Sequence, residues 1–262
     1  MGILNVTPDS FSDGGAYRSV EEAVARGLEM EAEGAAILDV GGESTRPGSL
    51  PVPADEEMRR VIPVIRGLAA KTNAVISVDT TKAAVANAAV AAGARIVNDT
   101  SALADDPEMA AAVRASGAAV VLMHRRGSPA TMQETPHYDA LFDELLAELT
   151  GRIAAAEGAG IDPERILVDP GIGFGKRLCD NLALHRHLDR LRVLGRPIVF
   201  GPSRKSFLGS LTGAPAAERV FGTAAAVAAA VLRGAHVVRV HDVKEMREVV
   251  EVAYAIRGEA SW

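Results

Sequence analysis

Asp169 stands where an apolar run gives way to a glycine-rich loop. Ile166, Leu167 and Val168 suit a strand buried on both faces, and Pro170 with Gly171 ends it, leaving a carboxylate at the strand's C-terminal end. Gly171, Gly173 and Gly175 let the backbone approach a flat ligand, and Phe174 offers a ring for it to lie against. Polar residues follow other apolar runs in the same way. Asn5 follows the first, and the second leads into the glycine-rich segment 41–48 with Thr45, Arg46 and Pro47. Then come Asp79, Asn98 with Asp99, His124 after Met123, the run Ser203, Arg204, Lys205, Ser206, and finally Arg239 and His241. Each alone reads equally well as a helix cap or a solvated loop residue. Arg239 and His241, two apart on an extended exit, can reach the same side and supply donors to an anion. The single cysteine, Cys179, excludes intrachain disulfides and cysteine-rich zinc sites.

The elements that must position these side chains repeat in order: a short apolar strand, a polar loop, an amphipathic helix. Strands are predicted near 2–6, 36–40, 74–78, 95–98, 119–123, 166–168, 197–200 and 237–240. Helices are predicted near 19–34, 54–70, 81–92, 107–116, 138–160, 181–193, 217–233 and 243–256. Ser19 with Glu22 forms a capping box, Pro107 fits a first helical turn, and Gly34, Gly93, Gly117, Gly195 and Gly234 close helices. Strict alternation requires parallel strands, and eight rounds close into a (β/α)8 TIM barrel, α/β in class, with an open doubly wound sheet as the alternative. No composition break marks a linker, so one domain over 1–262 is expected, with its site where the loops after the strands gather. The first strand begins almost at Met1, so a hairpin sealing the barrel's bottom is expected to be missing.

With 262 residues and 48% hydrophobic but only 4% aromatic composition, the chain suits helices packed on a sheet. Its net charge of -6 argues against general affinity for nucleic acid or anionic membrane. No apolar stretch reaches the length of a membrane span and the start lacks a signal-peptide layout, so a cytoplasmic protein is expected. His185 and His187, an i, i+2 pair on a helix, face different ways and make poor metal ligands.

Taken together, segments 1–15, 41–48, 77–80, 97–99, 122–124, 169–176, 203–206 and 239–243 resemble, in order and over essentially the whole chain, the dihydropteroate synthases of folate biosynthesis. The resemblance implies a transferase that joins 4-aminobenzoate to a dihydropterin carrying a diphosphorylated hydroxymethyl group. It implies that Asp79, Asn98, Asp169 and Lys205 hold the pterin over a floor containing Met123. Asp169 suits this, since a carboxylate receives the paired N–H groups of an amino-pyrimidinone edge much as it does those of arginine. It further implies that Asn5 meets a magnesium ion (Mg2+) bound to the diphosphate and that Arg239 and His241 hold the diphosphate oxygens. Thr45, Arg46, Pro47, Phe174 and Ser206 would then serve the benzoate. Lys205, Arg239, His241 and Asp79 are the residues expected to act in catalysis. A homodimer and inhibition by sulfonamides are implied too. Arg125 and Arg126 make the fifth loop unusually basic; solvent is their expected surrounding, ahead of a partner subunit or the diphosphate. The rivals are a pterin-binding methyltransferase, which has no use for Ser203 to Ser206 or for Arg239 with His241, and a pterin-binding paralogue without synthase activity.

Overall fold

A computed structural model describes residues 1–6, 19–44 and 48–258. Six parallel strands lie side by side in chain order: β1 (Gly2–Asn5), β2 (Ile37–Gly41), β3 (Val75–Asp79), β4 (Ile96–Asp99), β5 (Ala119–Met123) and β6 (Ile166–Asp169). Two shorter strands, β7 (Val199–Phe200) and β8 (Val237–Val238), pair with one another. Bridges at Val168 with Ile198 and at Gly2 with Val240 close the ring. Ile3 N–H donates to the Val240 carbonyl (2.9 Å), and Val168 N–H to that of Pro197 (3.0 Å). The sheet is therefore a closed barrel of the (β/α)8 kind, as the alternation requires, and not the open sheet.

Its helices are α1 (Val20–Ala32), α2 (Ala54–Ala69), α3 (Ala83–Ala92), α4 (Met109–Ser116), α5 (Leu141–Gly158), α6 (Leu178–Arg186), α7 (Ser206–Thr212), α8 (Val220–Leu232) and α9 (Val243–Ile256). Ser19 Oγ accepts from Glu22 N–H and caps α1 as expected. Gly34, Gly93, Gly117, Gly195 and Gly234 follow helices with positive φ. Some boundaries differ from the sequence reading. The helix predicted near 181–193 starts earlier and breaks: α6 ends at Arg186, and a 3-10 helix, Leu188–Leu194, runs on to Gly195. Pro107 precedes the first turn of α4, because the Asp106 carboxylate caps the Glu108 N–H and the helix starts only at Met109. Tyr138 is buried in the loop ahead of α5 instead of opening it.

Period two along the strands sorts the side chains. Leu38, Val40, Ile76, Val78, Val97, Val120, Leu122 and Val168 pack outward with helix residues such as Ile65, Leu68, Leu145 and Leu149. Each such fully buried side chain contributes about 1.5–3 kcal/mol. The alternate set faces the barrel axis. Its lower layer is apolar, with Ile37, Ile96, Val121, Leu167, Val199 and Val237 in one cluster. One pleat higher the same faces carry Asp39, Asp79, Asn98, Met123 and Asp169, and the register sets Gly41 beside Asp79, Asp79 beside Asn98, and Met123 beside Asp169. The apolar plug thus supports a polar floor. No helix among the described residues is long and apolar enough to cross a membrane.

Candidate active site

The polar floor is built around Arg239. Its Nε donates to Asp39 Oδ2 (2.6 Å) and its Nη2 to Asp79 Oδ2 (2.7 Å), while Asn98 Nδ2 donates to the same Asp39 oxygen (3.1 Å). Asp39 is fully buried and Asp79 is 6% exposed. Burial pushes the Asp79 carboxyl up, against the pull of the Arg239 charge. Burial likewise opposes the charge on Arg239, but Asp39 and Asp79 outweigh it and raise its pKa. One oxygen of each carboxylate, Asp39 Oδ1 and Asp79 Oδ1, is buried without a hydrogen-bond partner among the described residues. Such an acceptor carries a desolvation cost of about 1–3 kcal/mol until a donor reaches it.

Asp169 is held differently. Its Oδ1 accepts from the backbone N–H of Gly171 (2.7 Å), which lies in the left-handed region at φ 67°. Burial raises its pKa, and the Gly171 N–H, Lys205, Arg239 and Lys176 oppose the rise. A Cβ on Gly171 would stand 1.9 Å from the His124 carbonyl oxygen, so only glycine lets the loop cross the end of β5. Beyond it the Gly173 N–H donates to Asn181 Oδ1 (2.8 Å) at the side of α6. Phe174 packs with Met123 and Met132, and Lys205 Nζ lies 4.0 Å from the Phe174 ring centroid. Phe174 is 7% exposed, which makes it a wall of the pocket more than an open platform.

At the rim, Gly41 separates Asn5 from Asp79. A Cβ there would stand 3.7 Å from Asn5 Oδ1 and 3.8 Å from Asp79 Oδ2, so its absence leaves both oxygens facing one space. His241 and Arg239 diverge: His241 Nδ1 lies 2.9 Å from Ser203 Oγ, whereas Arg239 turns to the floor. Burial, then Arg239 and Arg204, lower the His241 pKa to about 3, so the ring is neutral. Arg204 pairs with Asp242 (Nε to Oδ2, 3.0 Å), and Ser206 opens α7, exposed, with Lys205 as N-cap. Beside Asp79 a cavity of about 290 Å³ runs toward Glu43, Lys82, Thr100 and Arg125. Lys82 Nζ donates to both Glu43 and Glu57 (2.6 Å each) and Gly48 N–H to the Pro129 carbonyl (3.1 Å), fixing the ends of the second loop. Thr45, Arg46 and Pro47 lie outside the described residues.

The structure thus gathers Asp79, Asn98 and Arg239 into one hydrogen-bonded floor and sets Phe174 in contact with Met123 and Lys205, with Asp169 following Val168 on β6 beside Met123. Of these, Asp79 also lines the cavity that runs toward Glu43. The structure corrects the surroundings of the two arginines after His124. Arg125 pairs with Asp105 (2.7 Å), and Arg126 pairs with Glu144 (2.7 Å) and Glu148 and lies over the Tyr138 ring, because acidic side chains from neighbouring loops and α5 reach them. Asp99, next to Asn98 at the end of β4, is a loop holder: it accepts from Ser101 and Leu103 N–H groups and supports the positive φ of Ala102 and Leu103. Asp39 escaped the sequence reading, although a carboxylate inside the run Ile37, Leu38, Asp39, Val40 is a signal in itself. Among the described residues no cluster of three or more His, Cys, Asp or Glu side chains could hold a metal.

Comparison with known proteins identifies the family. Residues 1–241 match the family described as pterin binding enzyme. The dihydropteroate synthase of Escherichia coli (strain K12) is 46% identical over 255 residues, 97% of this chain and 90% of that one. That of Synechocystis sp. is 45% identical over 257 residues, 98% of this chain and 89% of the relative. Among solved structures, a Yersinia pestis dihydropteroate synthase with a sulfonamide drug complex superposes with a TM-score of 0.95 at 43% identity, covering 98% of this chain and 94% of its own. A Xanthomonas albilineans dihydropteroate synthase with 4-aminobenzoic acid gives 0.91 at 51%, covering 98% and 92%. The chain therefore belongs to the pterin-binding enzymes, a transferase of the dihydropteroate synthase family.

Proposed function

We propose that this chain condenses 4-aminobenzoate with (7,8-dihydropterin-6-yl)methyl diphosphate, giving 7,8-dihydropteroate and diphosphate in folate biosynthesis. The observation that carries this reading is the buried polar floor: Asp79 and Asp169 as acceptors, Asn98 and Lys205 as amide and cation, and a buried Asp79 oxygen awaiting a donor. An amino-pyrimidinone edge supplies such donors, and a ligand without them leaves each group unpaired.

Asp169 receives the paired N–H groups of the pterin, Met123 lies under the ring, and Lys205 bridges the two subsites above Phe174. The carbon–oxygen bond breaks first and its electron pair leaves with diphosphate. The amine lone pair then forms the carbon–nitrogen bond, and the amine proton passes to solvent or the departing diphosphate. Neutral His241 donates a hydrogen bond to the diphosphate. A guanidinium has five N–H donors and Asp39 and Asp79 take one each, so Arg239 can turn its remaining donors to the diphosphate, which draws the cation from Asp79 and leaves that carboxylate facing the cationic methylene. Asn5 fits a magnesium ion carried by the diphosphate, since its carboxamide oxygen shares with Asp79 the space beside Gly41 and such an ion needs few protein ligands. When bound, the ion neutralises charge on the leaving group. Thr45, Arg46, Pro47, Phe174 and the start of α7 at Ser206 receive the benzoate.

The chain works as a single catalytic unit over 1–262, in the cytoplasm and as a homodimer. Phe221, 86% exposed on α8, and Ile256, 70% exposed on α9, offer apolar surface for a second copy, and sedimentation would decide the oligomer. The test of function is dihydropteroate formation with and without magnesium beside Arg239→Ala. Magnesium-dependent product that falls at least about a hundredfold in the variant is expected. Pterin binding without product would favour the inactive paralogue. A sulfonamide should raise the apparent KM for 4-aminobenzoate and leave the maximal rate unchanged; a rate indifferent to the drug at limiting aminobenzoate would count against the benzoate subsite.

A further inference from the structure

Lys176, the last residue of the glycine loop, is 3% exposed and has no part in the reaction described above. Its Nζ donates to the Phe174 carbonyl (3.1 Å) and the His124 carbonyl (3.4 Å), and lies 3.0 Å from His124 Nδ1. An ammonium has three N–H donors, and three acceptors surround this one. With Nδ1 accepting, the His124 ring proton sits on Nε2, which lies 3.0 Å from Glu148 Oε2 on α5, a close charge contact without hydrogen-bond geometry. A chain of groups thus runs from the buried loop through the end of β5 to a carboxylate that is 42% exposed. Burial lowers the Lys176 pKa to about 7 against Asp169, Asp180 and Glu148, with Arg126 adding to the fall and the Tyr138 ring 5.9 Å away.

We propose that Lys176 is a positioning residue which, backed by His124 and Glu148, ties the Phe174 carbonyl to the end of β5 and so sets where the Phe174 ring stands beneath Lys205. The inference rests on the reading of function above in placing the benzoate beside Phe174. It separates the two substrates. Asp169, the pterin acceptor, is fixed by the Gly171 N–H, and Lys176 is the smallest of the influences on it. Removing the ammonium should therefore loosen the benzoate wall and spare the pterin.

The experiment compares the wild type with Lys176→Met, which keeps length without donors, and Glu148→Gln, a half-exposed change that does not threaten folding. Amide exchange over 171–176 is measured on the free protein, KM for 4-aminobenzoate and kcat during turnover, and Kd for the dihydropterin diphosphate without amine. In Lys176→Met, loop exchange should quicken at least tenfold and KM for 4-aminobenzoate rise about tenfold, with the pterin Kd within twofold. Glu148→Gln should move the first two readouts the same way by about two- to threefold. Unchanged loop exchange in Lys176→Met would overturn the proposal, as would equal weakening of both substrates, which marks a merely structural role. Should the wild type make no dihydropteroate, the functional reading falls, while loop exchange still decides whether Lys176 anchors Phe174.

Discussion

Asp79 and Asp169 end strands β3 and β6, are buried to the same degree at 6% and 7% exposure, and differ in what holds them. Asp169 takes its hydrogen bond from a backbone N–H that the turn at Gly171 cannot move. Asp79 takes its own from the guanidinium of Arg239, a side chain with rotamers to spare and a second carboxylate, Asp39, to fall back on. A carboxylate fixed by backbone can only recognise. One held by an exchangeable cation can change partner when an anion enters.

The largest effect expected from this contrast is at Asp169. In Asp169→Asn the amide oxygen would keep the Gly171 N–H, leaving an NH2 where the pterin needs an acceptor, donor facing donor. A fall in kcat/KM of about 10³-fold or more is expected, with pterin binding lost in calorimetry. Asp79→Asn should bind pterin within about tenfold and lose chiefly kcat, because its partner is the exchangeable one. Equal losses in KM and kcat at the two positions would break the contrast.

Two glycines of the same loop sharpen it. Gly171→Ala would set a methyl 1.9 Å from the His124 carbonyl at φ 67°, where backbone must shift. Gly173→Ala meets the flexible stem of Lys205 at 3.1 Å with φ 78°. Left-handed backbone costs each about 1–2 kcal/mol, and Gly171→Ala should lose several times more through the displaced strand end. Urea unfolding would measure both; a Gly171→Ala loss no greater than that of Gly173→Ala would show the Asp169 turn to be adaptable. On the other carboxylate, Arg239→Lys replaces a fork by a point charge that cannot serve Asp39 and Asp79 together. A loss of about 1–3 kcal/mol is expected from the carboxylate left unpaired.

The barrel was legible because apolar strands, glycine stops and amphipathic helices alternate within windows of a few residues, where local physics decides. Asp79, Asn98 and Asp169 were legible for the same reason, as polar ends of apolar runs. Asp39 was not, since its partners Asn98 and Arg239 lie 59 and 200 residues away and only closure of the ring brings them to it. Lys176 reaches back 52 residues to His124. The pairing of Arg125 and Arg126 depends on Asp105 and on the face that α5 turns toward β5. In each case the sequence shows a charge and the tertiary fold supplies its partner.

The smallest effect concerns the charge of His241 on the exchangeable side. Its folded pKa of about 3 lies below the ordinary value near 6.5, chiefly through burial and then through Arg239 and Arg204. Between those pH values the unfolded chain takes up a proton that the folded ring refuses, so stability falls as pH drops from about 6.5 toward 3. His241→Gln should flatten that part of the curve in urea unfolding across pH 4 to 7, although His124 and His185, whose pKa values burial also lowers, keep some slope. On the function proposed above, the same neutrality would make His241 a donor to diphosphate that adds no titration to kcat between pH 6 and 8. If wild type and variant lose stability in parallel on acidification, His241 is charged in the folded protein, and the proposed diphosphate site would hold two cations in place of one cation and one neutral donor.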